Sequence, residues 1–332
     1  MASQTMQAAV LEEYGAPFRV TQVSRPTAGP GQILVAIKAS GVNPLDTKIQ
    51  AGAADHARQP LPTILGIDLA GVVAAVGEGV TDFRPGDEVY GMTGGVGGLQ
   101  GSLAEYAAVD ARLLALKPAN LTMREAAALP LIFITAWEGL VDRANLQPGQ
   151  RVLIHGGGGG VGHVAIQIAR ALGAEVFATD SAPKAEFIRR LGASPIDYQA
   201  DSVEDYVERY TEGRGFDLVY DTGGGAVLDA SFKAVRRFGH VVSCLGWGTH
   251  ALAPLSFRAA TYSGVFTLLP MLTGEGRAHH GEIMREVTRL AEAGKLVPNL
   301  DPRRFDLATV GDAYRAISDR TARGKLVVEL AA

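Results

Sequence analysis

Between residues 152 and 162 the chain reads Val152-Leu153-Ile154-His155-Gly156-Gly157-Gly158-Gly159-Gly160-Val161-Gly162. A short apolar run breaks into glycines and then enters a helical pattern, and no other segment narrows the choice of fold as much. Gly157, Gly159 and Gly162 satisfy G-x-G-x-x-G, and Gly156, Gly159 and Gly162 satisfy the related G-x-x-G-x-x-G. Leaving a strand in a tight turn needs unrestricted φ, and a pyrophosphate needs close approach to bare backbone. Gly162 lets the next helix lie against the sheet. The helix start at Gly160, Val161 and Gly162 then offers free N–H groups and the positive dipole end to phosphates. Such a turn alone is a weak sign. Here a strand precedes it, an amphipathic helix follows, and a second strand starts about 20 residues on, which is the setting of a dinucleotide site.

The surrounding sequence supplies that setting. Strand patterns at 151–154, 175–179, 194–198, 216–220 and 240–245 alternate with helical patterns at 161–172, 181–192, 202–210 and 227–238. This alternation implies right-handed βαβ units on a parallel sheet. The first third is different, with strand patterns at 33–38, 71–76 and 88–90 and the turn Arg84-Pro85-Gly86-Asp87. The run from Thr93 to Gly101 holds five glycines and reads as a flexible loop. A long helix is expected over 124–140, another over 282–293, and a last strand over 325–330. The fold class is therefore α/β, and 332 residues at about 150 per domain imply two domains.

The nature of the dinucleotide turns on the end of the second strand, Ala178-Thr179-Asp180-Ser181-Ala182-Pro183-Lys184. An acid there favours the ribose of NAD, and basic groups favour the 2′-phosphate of NADP. Asp180 argues for the first and Lys184 for the second, so spacing alone leaves both open.

Other function classes are excluded by composition. The charge is −4, with 31 basic against 35 acidic side chains and no basic block, so nucleic acid and anionic membranes are poor partners. No apolar run approaches the ~18 residues of a membrane span, and Met1–Met6 has no signal-peptide character. The lone Cys244 excludes an internal disulfide and a Cys-rich zinc site, and the expected compartment is a reducing cytoplasm.

Several motifs in order resemble the medium-chain dehydrogenase/reductase superfamily, in its zinc-independent quinone oxidoreductase (zeta-crystallin-like) branch. They are Gly41-Val42-Asn43-Pro44-Leu45-Asp46, Gly66-Ile67-Asp68-Leu69-Ala70-Gly71, Gly86-Asp87-Glu88-Val89 and Gly101-Ser102-Leu103-Ala104-Glu105-Tyr106. Ala126-Ala127-Ala128-Leu129-Pro130, Thr135-Ala136, the glycine turn and Gly324-Lys325-Leu326-Val327-Val328 complete the series. The resemblance implies a GroES-like β-rich substrate domain from both chain ends, residues 1–126 and 274–332. A Rossmann nucleotide domain, 127–273, is inserted between them, with the active site in the cleft. Relatives that use catalytic zinc carry Cys and His where this sequence has Asn43 and Ile67, so no metal is expected. His279-His280, the only close histidine pair, reads as solvent-facing.

By the same resemblance Lys184, Tyr198 and Arg320 surround the 2′-phosphate, which favours NADPH over NADH. Thr179, Ser181, Gly246 and Phe266 complete the expected cofactor set beside Gly156, Gly157, Gly159, Gly160, Val161 and Gly162. Without a metal to acidify an alcohol, a quinone or an α,β-unsaturated carbonyl is the fitting hydride acceptor, because the charge spreads onto a conjugated oxygen. Asn43 is the candidate cleft donor, with turn-holding as the alternative. Thr135 is the candidate ribose contact, with a helix-interior role as the alternative. Lys48, where quinone reductases commonly carry Tyr, is either a substrate-binding or proton-donating group or a solvated lysine. Asp46 reads as a backbone cap and His155 as a filler at the strand end. Cys244 reads as a buried, inert thiol, and Trp247 as either core or cleft wall. Two alternatives stay open: a zinc-free reductase of another carbonyl, and a low-turnover NADPH-binding protein with a structural or regulatory role. The resemblance also implies a homodimer, through the segment from Ala259 to Leu272, acting on a small-molecule substrate.

Overall fold

A computed structural model describes Gln4–Leu330. It divides into one unit made of the residues up to Leu131 and those from Leu268 onward, and a second made of Ile132–Thr267. The divisions fall at Leu131 and Leu268 rather than at 126/127 and 273/274. One cause is local: the Leu131 amide donates to Asp68 Oδ1 at 2.9 Å, which ties the start of helix Pro130–Trp137 to the first unit.

In the first unit, strands β1 (Thr5–Leu11), β2 (Arg19–Ser24) and β4 (Thr63–Ile64) form a small antiparallel sheet in the order β2-β1-β4. The larger sheet is built on β3 (Gln32–Val42). One edge of β3 pairs with β5 (Asp68–Val76), which continues to β6 (Glu88–Met92) and β8 (Leu114–Leu116). Its other edge is shared. β7 (Tyr106–Asp110) takes Gln32–Ala36, and a strand near the chain end, Leu326–Glu329, takes Ala39–Val42. That register sets Gly41 between Asp68 and Val327. The end of β3, the start of β5 and Lys325 therefore meet in one place.

The second unit is a parallel six-stranded sheet. Its strands are β9 (Arg151–His155), β10 (Glu175–Asp180), β11 (Ser194–Asp197), β12 (Phe216–Asp221), β13 (Val235–Ser243) and β14 (Thr261–Gly264), and the chain-end strand Leu326–Glu329 of the first unit is β15. The order β11-β10-β9-β12-β13-β14 places β9 where the winding reverses. Ligands of doubly wound sheets sit outside the strand ends at that point, and the glycine turn leaves β9 there. The βαβ alternation read from sequence is thus realised. Phe177, Tyr206, Phe216 and Phe232 lead its core, with the Phe177 and Phe216 ring centres 5.4 Å apart.

Four local expectations are corrected. The helix over 124–140 is three pieces, Met123–Ala127, Pro130–Trp137 and a wide π-type turn Glu138–Arg143, because Pro130 cannot continue the first piece. The helix over 227–238 stops at Ala234, and Val235 already belongs to β13. His279 and His280 separate as adjacent helix residues must, so His279 meets Glu282 at the surface while His280 is fully buried. The 93–101 run is not loose. The amides of Gly95, Gly97 and Gly101 bond to Leu99, Ala57 and Ile64, and a Cβ on Gly94 would lie 1.8 Å from the Gln100 carbonyl oxygen. Gly94 and Gly101 serve close backbone approach, while Gly95, Gly97 and Gly98 take positive φ that a glycine adopts freely.

Phe216 has no solvent exposure and packs at a tilt against two aromatic rings. Phe216→Ala is expected to cost ~3–5 kcal/mol in urea unfolding. A loss near zero would place the core of the second unit elsewhere.

Candidate active site

The glycine turn is held from the neighbouring strand. The amides of Gly156 and Gly157 both donate to the Thr179 carbonyl at 2.9 and 3.0 Å, and the Gly159 amide closes the turn on the Gly156 carbonyl at 2.9 Å. Gly156 sits at φ +70°, which a glycine adopts freely. A Cβ on Gly162 would stand 2.0 Å from the Gly156 carbonyl oxygen, so the helix can begin here only without a side chain. Gly159 caps helix Gly160–Ala171. The first-turn amides of Gly160, Val161 and Gly162 have no intrahelical acceptor. A bare turn with unclaimed amides at the positive end of a 12-residue helix fits a pyrophosphate.

Around it the expected cofactor residues divide. Ser181 follows β10, and the Lys184 stem lies over Gly158, with Cδ 3.0 Å from where a Cβ would stand. Tyr198 is exposed, its amide bonded to the Asp180 carbonyl at 3.4 Å, so Ser181, Lys184 and Tyr198 gather at the ends of β10 and β11. Arg320 belongs to the first unit, in the left-handed conformation at φ +56° just after helix Val310–Ser318. Thr179 is buried with its hydroxyl engaged by His155 Nδ1 at 2.8 Å. Gly246 makes room for Tyr262, whose hydroxyl would be 2.1 Å from an added Cβ. Phe266 stands edge-on to the half-exposed Trp247 at 6.0 Å.

Thr135 is buried, and its hydroxyl lies 3.1 Å from that of Thr267, which donates to Glu138 Oε2 at 3.0 Å. Its carbonyl accepts from the Tyr220 hydroxyl at 2.6 Å. Burial pushes His155 down to about 4 despite the nearby Asp221, so its imidazole is neutral, with Nε2 unpartnered. Asp221 is spent on the amides of Gly223 and Gly224 and on the Ser243 hydroxyl at 2.6 Å. Burial pushes the Cys244 thiol up to about 12, which makes it a poor nucleophile at neutral pH.

The first unit holds a charge cluster that the sequence reading did not assemble. Asn43 is fully buried. Its Nδ2 donates to Asp68 Oδ2 at 2.9 Å, its Oδ1 accepts from Lys325 Nζ at 2.5 Å, and its backbone amide donates to Asp46 Oδ2 at 2.8 Å. Lys325 Nζ also donates to the Val42 carbonyl at 2.9 Å. Asn43 is thus the hub of an interior network rather than an open donor, and Lys48 stands exposed on the same helix, Pro44–Gln50. Burial pushes Asp46 up to about 7, with Asp68 adding repulsion and the Asn43 amide opposing. Burial raises Asp68 to about 6 against the pull of Lys325, and burial lowers Lys325 against both acids. The signal in the sequence was the spacing itself: Asp68 and Lys325 interrupt otherwise apolar strand motifs.

Family models for an alcohol dehydrogenase GroES-like domain and for a zinc-binding dehydrogenase match residues 29–119 and 191–328. The NADPH-dependent alkenal/one oxidoreductase of Arabidopsis thaliana chloroplasts is 36% identical over 97% of this chain and 79% of its own length. The 2-methylene-furan-3-one reductase of Solanum lycopersicum is 37% identical over 93% and 74%. The crystal structure of an alcohol dehydrogenase superfamily protein from Novosphingobium aromaticivorans superposes with a TM-score of 0.97 at 63% identity, covering 98% of this chain and 100% of that one.

Both interior acids titrate above the ordinary 3.8, so the folded chain keeps protons that the unfolded chain has released. Their stabilising contribution is complete below about pH 4 and is lost as the pH rises through about 6 to 7. Asp46→Asn keeps the acceptor for the Asn43 amide and removes the titration. Relative to this variant, the unaltered protein is expected to lose stability from about pH 4 to about pH 7 in urea titrations. A flat or rising difference would refute the assignment.

Proposed function

Because the chain belongs to the medium-chain dehydrogenase/reductase superfamily, in its quinone oxidoreductase-like branch, we propose that it is an NADPH-dependent reductase of α,β-unsaturated carbonyls or quinones that works without zinc. The observation that carries this reading is the bare turn Gly156–Gly162, its first-turn amides unclaimed and the Lys184 stem laid across Gly158. Gly160, Val161 and Gly162 hold the pyrophosphate, and Ser181, Lys184 and Tyr198 hold the 2′-phosphate. When bound, the nicotinamide supplies a hydride, which a conjugated carbonyl accepts without a metal. The names of the two plant relatives support the alkenal or enone class.

The donor set argues against catalytic zinc. Ile67 is a fully buried apolar residue, and the Asn43 amide is engaged at both ends by Asp68 and Lys325. Among the described residues, no three His, Cys, Asp or Glu gather closely enough to hold a metal. The chain's own contribution is then to position the substrate and to hydrogen-bond the oxygen that gains charge. Thr135, oriented by Thr267 and Glu138, serves the ribose, and the exposed Lys48 serves the substrate oxygen. Asn43 holds the backbone from which helix Pro44–Gln50 begins. We take the protein as a homodimer through Ala259–Leu272, which includes the outermost strand β14.

Steady-state assays with enals, enones and quinones test the reaction, and the absence of NADPH oxidation with all three classes would remove it. Lys184→Ala is expected to raise KM for NADPH about 10-fold and to leave that for NADH nearly unchanged, as loss of one charged hydrogen bond requires. Equal losses for both cofactors would move the 2′-phosphate site away from Lys184.

A further inference from the structure

We infer that Asp180 is a strut of the phosphate-binding turn and not the ribose acceptor that selects NADH. The inference rests on the nucleotide reading above. Asp180 stands at the end of β10, where an acid ordinarily marks a preference for the unphosphorylated cofactor. Here its carboxylate is already engaged. Oδ2 accepts the Gly158 amide at 2.8 Å, and Oδ1 accepts the Ser181 amide at 2.8 Å and the Ser181 hydroxyl at 3.4 Å. A carboxylate offers about four lone-pair sites, and three are turned to donors of its own chain.

The bond to Gly158 completes a pattern. Gly156 and Gly157 donate to the Thr179 carbonyl, and Gly158 donates to the next residue's side chain. Three consecutive amides of the turn are therefore held by two consecutive residues of β10, across the pairing of His155 with Thr179. This leaves the helix amides from Gly160 onward as those a phosphate can claim. Gly158 has its own reason to be glycine. It occupies the variable position of G-x-G, yet an added Cβ would lie 3.0 Å from Asp180 Oδ2 and 3.0 Å from Lys184 Cδ. The missing side chain lets the strut reach the turn and the lysine stem cross it.

The consequence is that Asp180 treats the two cofactors alike. Dissociation constants for NADPH and NADH, with kcat and KM on an enal, are to be measured for Asp180→Ala and Asp180→Asn. The alanine variant is expected to weaken both cofactors about 10-fold and to change their ratio less than about 2-fold, with kcat retained, since one hydrogen bond to a charged group is lost. The asparagine variant keeps an oxygen for the Gly158 amide and is expected to restore both affinities. Selective loss of NADH, or selective gain of NADPH, in either variant would overturn the strut, as would unchanged affinities in the alanine variant. If the alanine variant does not fold, the asparagine variant decides, because a ribose acceptor that loses its charge shifts the ratio and a strut does not. Failure of the unaltered protein to bind either nucleotide would remove the nucleotide reading itself, and that is seen before any variant is made.

Discussion

A buried lysine organises the first unit. Lys325 Nζ is buried against the Val42 carbonyl and the Asn43 amide oxygen, with Asp68 and Asp46 as its countercharges. Placing a charge in an interior is costly unless partners surround it, and the partners here come from three different elements. Val42 ends β3, Asn43 and Asp46 begin a helix, Asp68 begins β5, and the Leu131 amide closes on Asp68 from a further helix. The sheet register, the turn at Asn43 and the entry to Pro130–Trp137 are thus conditions on one another. Removing any of them leaves a buried charge or a buried donor unanswered.

The second unit solves a related problem with backbone. A turn that is to receive an anion must present N–H groups, yet a chain of unbonded amides has no fixed shape. Here the donors are divided. Those nearest the strand are consumed by Thr179 and Asp180, and those in the first helical turn stay unclaimed. The rigid part and the receptive part are successive residues of one segment. The neutral His155 and the committed Asp221 fit the same scheme, since neither brings a free charge to the base of the turn.

Much of this was legible in the residues because periodicity reports burial directly. The alternating strands and helices of 151–245 bury one element after another, and their pattern fixes a parallel sheet before any contact is known. The glycine turn was legible because pyrophosphate binding needs glycine at set offsets. What stayed hidden were facts of proximity. Glycine in 93–101 has one letter for two uses, and only the structure shows close approach at Gly94, beside the Gln100 carbonyl, and positive φ at Gly98. Likewise Asn43 and Lys325 are 282 positions apart, so no window along the chain shows their contact. Gly158 fills the variable position of its motif, and only the convergence of Asp180 and Lys184 on it shows why it is glycine. His280 shows the remaining limit, since helix spacing separates it from His279 without saying which of the two faces inward.

The position of Lys325 also bears on how the protein is made. Its acidic partners are synthesised early, within residues 46–68, and the whole of Ile132–Thr267 is translated before the lysine leaves the ribosome. Through that interval the first unit has two carboxyl groups destined for its interior and no cation to meet them. Strand β15, whose arrival also fills the open edge of β3, follows directly after that lysine. The inserted unit has all six of its strands by then and is free to fold first. The β-rich unit closes around a side chain that the ribosome delivers only after the whole of the inserted unit.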